Sequence, residues 1–161
     1  MGKELSSQDA DLLRASFEVA LQAVAAGNHP FGAILANKER QILLEAENTV
    51  ATGDDITGHA ETNLVRRVGK ESYGAALESC TLYASSEPCA MCSGAIYWAS
   101  IGRMVYGLSQ ERFYSIVGGV RKQQALTLQC RDVLGRGGRP VEVIGPALED
   151  EAAQVHAGFW Y

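Results

Sequence analysis

The chain has 161 residues, of which 47% are hydrophobic and 20% charged, as expected for one soluble domain spanning residues 1–161. Its formal net charge of −5 excludes a protein that is basic throughout and attracts polyanions over its whole surface. No run of about 18 apolar residues would span a membrane, and the first residues lack the order of a signal peptide, so we expect no membrane partner and a cytoplasmic location.

The N-terminal half alternates between helical and strand patterns. Ser6 and Asp9 resemble a capping box, and apolar residues then recur at helical spacing until Gly27 predicts the helix end. The segments "FGAILA" and "QILLEAEN" flank the polar "NKER" and predict a β-hairpin. The segment "TVATGDDITG" is typical of a loop, and the chain from His59 to about Lys70 has a helical pattern.

The C-terminal half continues the alternation of strands and helices. "CTLYAS" predicts a short buried strand, and "CAMCSGAIYWA" predicts a helix that begins directly after Pro88. "RMVYG" and "RPVEVIG" predict two more strands, and "LEDEAAQVHAGFWY" predicts a closing helix with an aromatic end. Residues 109–139 predict no definite element. The whole pattern favours a layered α/β sheet.

Two cysteines form a Pro-Cys-x-x-Cys motif at the start of one predicted helix, and one of the chain's three histidines begins another. Cys89 and Cys92 would lie about one turn apart, where the positive end of the helix dipole favours their thiolate forms. Two thiolates and the imidazole of His59 are donors that zinc prefers, and three protein ligands leave a fourth position for water. The motif therefore predicts a catalytic zinc site.

Glu61 follows His59 by two residues and would project over the same cavity. A carboxylate beside a water on zinc can take a proton from that water and pass it to a substrate. The residues therefore predict Glu61 as the catalytic acid and base.

Two other kinds of site remain open from the residues alone. A thioredoxin-like redox pair would also lie between strand and helix, but it gives His59 and Glu61 no role. A structural zinc site needs a fourth ligand, for which the chain offers His29, His156, Cys80 and Cys130. The two isolated cysteines stand in apolar or mixed surroundings, which is typical of buried small side chains.

These motifs resemble the cytidine deaminase-like superfamily, whose signature is His-x-Glu followed by Pro-Cys-x-x-Cys. The segments "HPFGAIL", "AEN", "HAE", "TLYASSEPCAMCSGAIYWA" and "RMVYG" follow the order of that superfamily and cover roughly residues 10–107. The resemblance implies a three-layer α/β/α sandwich with a five-stranded mixed central sheet, one Zn²⁺ per subunit, and a homodimer.

Within the superfamily, "PFGA" and "EPCAMCSGAIYWA" are most similar to guanine deaminases, which implies conversion of guanine to xanthine and ammonia. Thr62 and Asn63 depart from the apolar residues common in guanine deaminases, so cytosine, isoguanine, guanosine or a triazine remains open as substrate. The tRNA-specific adenosine deaminases share part of these motifs, so conversion of adenosine to inosine in tRNA is a further alternative. A zinc-stabilised scaffold protein is a third hypothesis, although it would not need Glu61.

Nucleic acid is a less favoured partner than a small nucleobase or nucleoside. The negative net charge argues against nucleic acid as a partner, whereas one basic stretch of the chain leaves that partner as an alternative. That stretch contains Arg121, Lys122, Arg131, Arg136 and Arg139.

The resemblance also implies contacts with the substrate. Asn48 matches an asparagine that hydrogen-bonds the base, although Asn there is also typical of a turn. The backbone N–H of Ala60 would bind a ring carbonyl, and the backbone near Ser86 would receive the leaving amine. Phe31 would wall the base, and Glu111 is the one acid after "VYG" that could contact the base or relay a proton.

Three consecutive aromatic residues end the sequence, and leaving them in water is unfavourable. The resemblance implies that Trp160 and Tyr161, with Phe159, close the pocket as a lid, in the same subunit or exchanged with the partner. His156 is expected at the surface or in packing, and Trp98 in the core or in a dimer interface.

Overall fold

The computed structural model describes residues 4–71 and 74–160. A five-stranded sheet forms its centre, and its strands in chain order are β1 (Gly32–Ala36), β2 (Ile42–Glu47), β3 (Thr81–Ser86), β4 (Arg103–Leu108) and β5 (Glu142–Ile144). The helices are α1 (Ser7–Ala25), α2 (Val50–Gly53), α3 (Ala60–Glu71), α4 (Ala90–Trp98), α5 (Gln110–Val117), α6 (Gly119–Gln123), α7 (Cys130–Leu134) and α8 (Glu149–Gln154). A 3₁₀ helix (Gly74–Ser79) precedes β3.

The sheet is mixed, with the strand order β2-β1-β3-β4-β5. β1 is antiparallel to both β2 and β3, whereas β3, β4 and β5 run parallel to one another. The predicted hairpin is confirmed as β1 and β2, and Arg40 in its turn has a positive φ of 64°. The five-stranded mixed sheet implied by the resemblance is therefore confirmed.

Alternation of side chains along the strands divides the core into two layers. Leu35 and its neighbours on one face of the sheet pack against α3, α4 and α7. Ile34 and its neighbours on the other face pack against α1 and α8. Cys80 and Cys130 are buried in the first of these cores, as predicted for small apolar side chains. The molecule is thus a three-layer α/β/α sandwich.

α1 lies very close to the sheet because Gly32 has no side chain. A Cβ placed on Gly32 would be 2.5 Å from the backbone oxygen of Ser16 and 2.5 Å from the backbone nitrogen of Ala20. Any larger residue would force α1 away from β1, so the glycine of "HPFGAIL" sets the spacing of these two layers.

Several elements differ from the sequence prediction. The predicted loop after β2 contains the single turn α2, and the stretch 109–139 forms α5, α6 and α7. The closing helix, predicted over 148–161, extends only over α8, and the chain then turns through Gly158, whose φ is 72°. This turn directs the last aromatic residues back onto the protein. No helix in the described part of the chain is long and apolar enough to cross a membrane.

The start of α1 carries a buried carboxylate. Ser6 caps the helix by accepting a 3.0 Å hydrogen bond from the backbone nitrogen of Asp9. The Asp9 side chain, 1% exposed, accepts bonds of 2.9 and 2.7 Å from Arg103 and one of 2.7 Å from Tyr83. Arg40 approaches it to 3.3 Å. Burial alone would raise the pKa of Asp9, but the bonds from Arg103 and Tyr83 outweigh burial and lower it.

We predict that Asp9→Asn lowers the free energy of unfolding by about 3 kcal/mol, because it leaves the partly buried guanidinium groups of Arg40 and Arg103 without the charge of a buried carboxylate. Urea denaturation at pH 7 measures this loss. The pKa of Asp9 is lower in the folded state than its unfolded value of about 3.9, so its stabilisation is complete above that pH and is lost as the pH falls further.

Asp11→Asn is the matched control, because Asp11 lies on the same helix with a side chain that is 79% exposed and an ion pair of 3.6 Å to Arg14. It should change the unfolding free energy by less than about 0.5 kcal/mol. Equal effects of the two substitutions would contradict the structural role of Asp9.

Candidate active site

The N-terminal ends of α3 and α4 meet at the edge of the sheet where β3 ends. Cys89, three residues after β3 ends at Ser86, is the N-cap of α4, and Cys92 lies in the first turn of that helix. His59 immediately precedes α3. Helix N-termini favour negative charge and so stabilise thiolates, and thiolates can hold a metal cation.

The three predicted metal ligands are brought together. His59 Nδ1 lies 3.6 Å from the Sγ atoms of both Cys89 and Cys92, and the three donor atoms are all within 4.8 Å of one another. Zinc–sulfur bonds of about 2.3 Å and a zinc–nitrogen bond of about 2.0 Å at tetrahedral angles separate such donors by about 3.5 Å. The residues therefore fit zinc.

The structural zinc site considered from the sequence is not supported. Cys89 and Cys92 are free thiols, as in a metal site or a reduced redox pair, and the nearby His59 Nδ1 favours the metal site. Within residues 4–71 and 74–160 no further His, Cys, Asp or Glu joins the group of three donors, so a four-ligand structural zinc site is wrong for this part of the chain. Three protein ligands leave a fourth position on zinc for water or substrate.

The three donors hydrogen-bond to one another, and these bonds lower the pKa of Cys89 but raise those of His59 and Cys92. The bond from Cys92, with that from His59, lowers the pKa of Cys89 to about 4 although burial opposes the shift. The same bond from Cys89 raises the pKa of His59. The Thr62 hydroxyl lies 3.2 Å from Cys92 Sγ and can donate to it, which gives a role to one of the two residues that depart from guanine deaminases.

Asn63, the second departure, positions the loop that carries His59. Its side-chain nitrogen donates to the backbone oxygens of Glu47 and Gly58 at 2.9 and 3.2 Å and to the Thr49 hydroxyl at 2.9 Å. One amide therefore ties the end of β2 to the residue before His59. An apolar side chain at this position could not make these bonds.

Glu61 lies in the first turn of α3, is 6% exposed, and lines the same cavity as His59 and Cys89. Burial raises its pKa to about 7, with a smaller contribution from the charge on Cys89. A carboxyl group in this environment can both accept and donate a proton near neutral pH.

The cavity beside these groups has a volume of about 130 Å³. Its walls come from four parts of the chain: the hairpin of β1 and β2, the start of α3, the loop after β3, and α5. The predicted residues Asn48, Phe31 and Ser86 line it. Asn48 Oδ1 accepts a 3.1 Å hydrogen bond from the Val50 nitrogen, which forms a turn. Asn48 Nδ2 donates no hydrogen bond to the described residues, so it offers a donor to the cavity.

Two further predicted contacts differ in their positions. Ala60 occupies the first turn of α3 between His59 and Glu61 with its side chain in the core, and the substrate contact of its backbone N–H stays a prediction. Glu111 is exposed on α5 and does not line the cavity, because the helix turns its neighbours Gln110 and Phe113 inward instead. The substrate contact predicted for Glu111 is therefore not supported by its position.

The predicted C-terminal lid is partly described. Trp160 packs on residues of the cavity wall, with ring centroids 6.3 Å from Phe31 and 5.6 Å from Phe113. Tyr161 lies outside the described residues. Trp98, expected in the core or in an interface, is 84% exposed and thus outside the core.

Sequence reasoning missed the residues that α5 contributes. Gln110, Phe113 and Tyr114 line the cavity, and the carboxylate of Glu87 holds α5 by accepting from the Gln110 nitrogen at 2.9 Å. The other Glu87 oxygen accepts from the Cys130 nitrogen at 3.1 Å. The Ser109 N-cap followed by an amphipathic segment was the available signal for this helix.

His156 is buried at 1% exposure, so the surface position considered for it is wrong and the packing role is confirmed. Its ring lies 5.4 Å from Phe31, 5.4 Å from Phe113, and stacks on Trp160 at 6.2 Å with an angle of 14° between the planes. Burial lowers the pKa of His156 to about 4.

Much of the basic stretch considered for nucleic acid is occupied within the protein. Arg121 lies over the Trp160 ring at 4.7 Å. Arg131 donates to the Tyr106 hydroxyl and the Gly145 oxygen, each at 2.8 Å, and Arg139 donates to the Ile101 oxygen at 3.0 Å. These arginines hold α6, α7 and the segment before β5 in place, which weakens the RNA hypothesis.

The family model for the cytidine and deoxycytidylate deaminase zinc-binding region matches residues 6–108. The chain is 45% identical over 157 residues to a probable cytosine deaminase of Schizosaccharomyces pombe, covering 98% of this chain and 95% of the relative. It is 43% identical over 88 residues to guanine deaminase of Bacillus subtilis, covering 54% of this chain and 56% of that protein.

The fold is also similar to that of solved deaminases. A structure from a study of A-to-I editing by tRNA:A34 deaminases superposes with a TM-score of 0.68 and 25% identity, covering 91% of this chain and 99% of that one. The covered share of this chain is larger than the region matched by the family model.

We predict that burial of His156 makes stability depend on pH. Its pKa is lower when folded than its unfolded value of about 6.5, so the unfolded state binds more protons between that value and the folded value of about 4. Stability from this group is complete above pH 6.5 and falls below it, by about 2 kcal/mol from pH 7 to pH 5. Urea denaturation of the zinc-loaded protein at several pH values measures the slope.

His156→Phe is the comparison, because a phenyl ring keeps the aromatic packing and cannot titrate. The unfolding free energy of this variant should fall less over the same pH range, and the difference between the two slopes isolates His156 from other groups. Parallel slopes in the two proteins would mean that His156 retains an ordinary pKa.

Proposed function

Because the chain belongs to the cytidine and deoxycytidylate deaminase zinc-binding family, we propose that it deaminates a small free base by hydrolysis, with Glu61 as the catalytic residue. The observation that carries the proposal is the position of a buried carboxyl group in one cavity with three zinc donors. A scaffold role would give this buried carboxyl group no function.

The residues divide the chemistry between them. Zinc held by His59, Cys89 and Cys92 would supply a Lewis acid that brings the pKa of a water ligand near 7. Glu61 accepts a proton from the attacking water and donates it to the ring nitrogen beside the amine-bearing carbon. The water oxygen bonds to that carbon, and the proton of the resulting hydroxyl group passes through the same carboxylate to the amine. The C–N bond then breaks, ammonia leaves, and the oxygen remains on the ring as a carbonyl.

The size of the cavity favours a substrate with a single ring. Its volume of about 130 Å³ is close to the roughly 150 Å³ of an engineered apolar cavity that binds benzene. Phe31 and Phe113 supply flat apolar walls, and Asn48 offers a donor at the edge. With the similarity to a probable cytosine deaminase over nearly the whole chain, these features support cytosine as substrate and uracil as product.

Guanine is the second candidate. The sequence motifs favour guanine, and the region of 43% identity to a guanine deaminase supports it, although that region covers about half of each chain. A purine has two rings and fills more of the cavity, so displacement of Trp160 from Phe31 and Phe113 would favour guanine.

A homodimer in the cytoplasm, expected from the sequence, remains a prediction. Trp98 on α4 supports the homodimer, because an 84% exposed tryptophan on the helix that carries Cys92 is costly to leave in water.

We predict that Glu61→Gln retains zinc and lowers kcat by at least about 10³-fold, because the amide cannot carry protons between water and the base. Ammonia release and metal analysis on the same sample measure the two properties. Glu111→Gln is the matched control, since this glutamate is exposed on α5, and it should keep the wild-type rate. His59→Ala should lose zinc as well as activity. Substantial turnover by Glu61→Gln would remove Glu61 from the mechanism.

The substrate is tested by ammonia release from the zinc-loaded protein with cytosine, guanine, isoguanine, guanosine and an RNA stem-loop. We expect cytosine to have the highest kcat/KM, because a single ring fits the cavity without rearrangement. A preference for guanine would keep the mechanism and overturn the choice of cytosine. Turnover of the RNA alone would overturn the assignment to a free base.

A further inference from the structure

Three side chains connect the C-terminal segment to the cavity by hydrogen bonds. Trp160 Nε1 donates to His156 Nδ1 at 3.0 Å. His156 Nε2 lies 3.5 Å from Ser86 Oγ, a weak hydrogen bond longer than the usual range of about 2.7–3.2 Å. Ser86 stands at the end of β3 and lines the cavity.

The direction of these bonds is set by the tryptophan. An indole N–H can only donate, so the His156 Nδ1 that receives it must be unprotonated. A neutral imidazole with an unprotonated Nδ1 carries its hydrogen on Nε2. Ser86 Oγ must then accept from His156, and its own hydrogen remains available.

The surroundings of His156 keep it neutral. The groups packed on its ring are Phe31, Phe113 and Trp160, none of which titrates near neutral pH. Its pKa, lowered to about 4 by burial, agrees with a neutral ring at pH 7. A buried polar ring among aromatics is unfavourable unless both nitrogens are hydrogen-bonded, which the two bonds provide.

The remaining hydrogen of the Ser86 hydroxyl is available to a molecule in the cavity. Among the residues that the structure describes, Ser86 Oγ has no other hydrogen-bond partner than His156. Since the serine lines the cavity, its hydroxyl can donate to a molecule bound there.

We propose that Trp160, His156 and Ser86 form a hydrogen-bond relay that fixes the Ser86 hydroxyl as a donor and so selects a base with an acceptor atom facing it. The proposal rests on the proposed deamination of a small base in this cavity. Ser86 contacts the substrate, whereas His156 and Trp160 are positioning residues. The C-terminal segment thereby influences specificity through the orientation of one hydroxyl in addition to covering the cavity.

The first test reads the histidine tautomer directly. Long-range ¹H–¹⁵N NMR of the zinc-loaded protein at pH 7 distinguishes the two nitrogens of each ring, and the chain has only three histidines. We expect His156 to be neutral with its hydrogen on Nε2. Trp160→Phe keeps an aromatic ring but removes the donor, and it should increase the population with hydrogen on Nδ1. A wild-type ring with hydrogen on Nδ1, or a protonated ring, would overturn the relay.

The second test measures kinetics with the best substrate of the ammonia-release panel. Ser86→Ala should raise KM about three- to tenfold with little change in kcat, because it removes one hydrogen bond that is equal in the ground and transition states. Trp160→Phe and His156→Phe should raise KM in the same direction. In the Ser86→Ala background neither should have a further effect, since the serine that they orient is gone.

The outcomes separate the relay from simple packing and from the proposed function. Additive effects of Trp160→Phe and Ser86→Ala on KM would mean that the tail acts only by packing and would overturn the relay. If His156→Phe fails to fold, Trp160→Phe still provides both measurements. Failure of the wild type to act on any base would overturn the proposed function, and with it the donor role of Ser86, while the NMR spectrum would still decide the tautomer.

Discussion

The geometry of the site depends on holding three donor atoms from two helices within 4.8 Å of one another. Cys89 and Cys92 are positioned by the short loop between β3 and α4. His59 lies in a longer connection, and the single amide of Asn63 ties that connection to the end of β2. The hairpin of β1 and β2 therefore determines where the imidazole lies, although it contributes no metal ligand.

The same hairpin sets the other wall of the cavity. Gly32 allows α1 to lie directly on β1, and the adjacent Phe31 faces the space beside Glu61. Glu87 performs a comparable function on the opposite side, because its two carboxylate oxygens hold the starts of α5 and α7. The zinc donors thus lie in a frame whose distances are fixed by backbone hydrogen bonds to Asn63 and Glu87.

Local patterns were sufficient to predict the metal donors and most strands. The spacing of Cys-x-x-Cys at a helix start places both sulfurs near one point, so this motif and a histidine before another helix can be recognised as metal donors from the sequence alone. Glu111 and Gln110 show the limit of this reasoning, because a shift of one residue on α5 decides which side chain faces the cavity. The roles of Asn63, Glu87 and His156 were not predictable, since each depends on partners distant in sequence or on burial.

The closing helix was predicted too long for a related reason. Its pattern remains helical beyond Gln154, but a continued helix would carry Phe159 and Trp160 away from His29 and Phe31. The turn at Gly158 instead returns these rings to the cavity, where burial of aromatic surface outweighs the loss of helical hydrogen bonds. The conformation of this segment is therefore determined by the surface that it covers. Changes in the tail and changes in the cavity wall should accordingly affect one another.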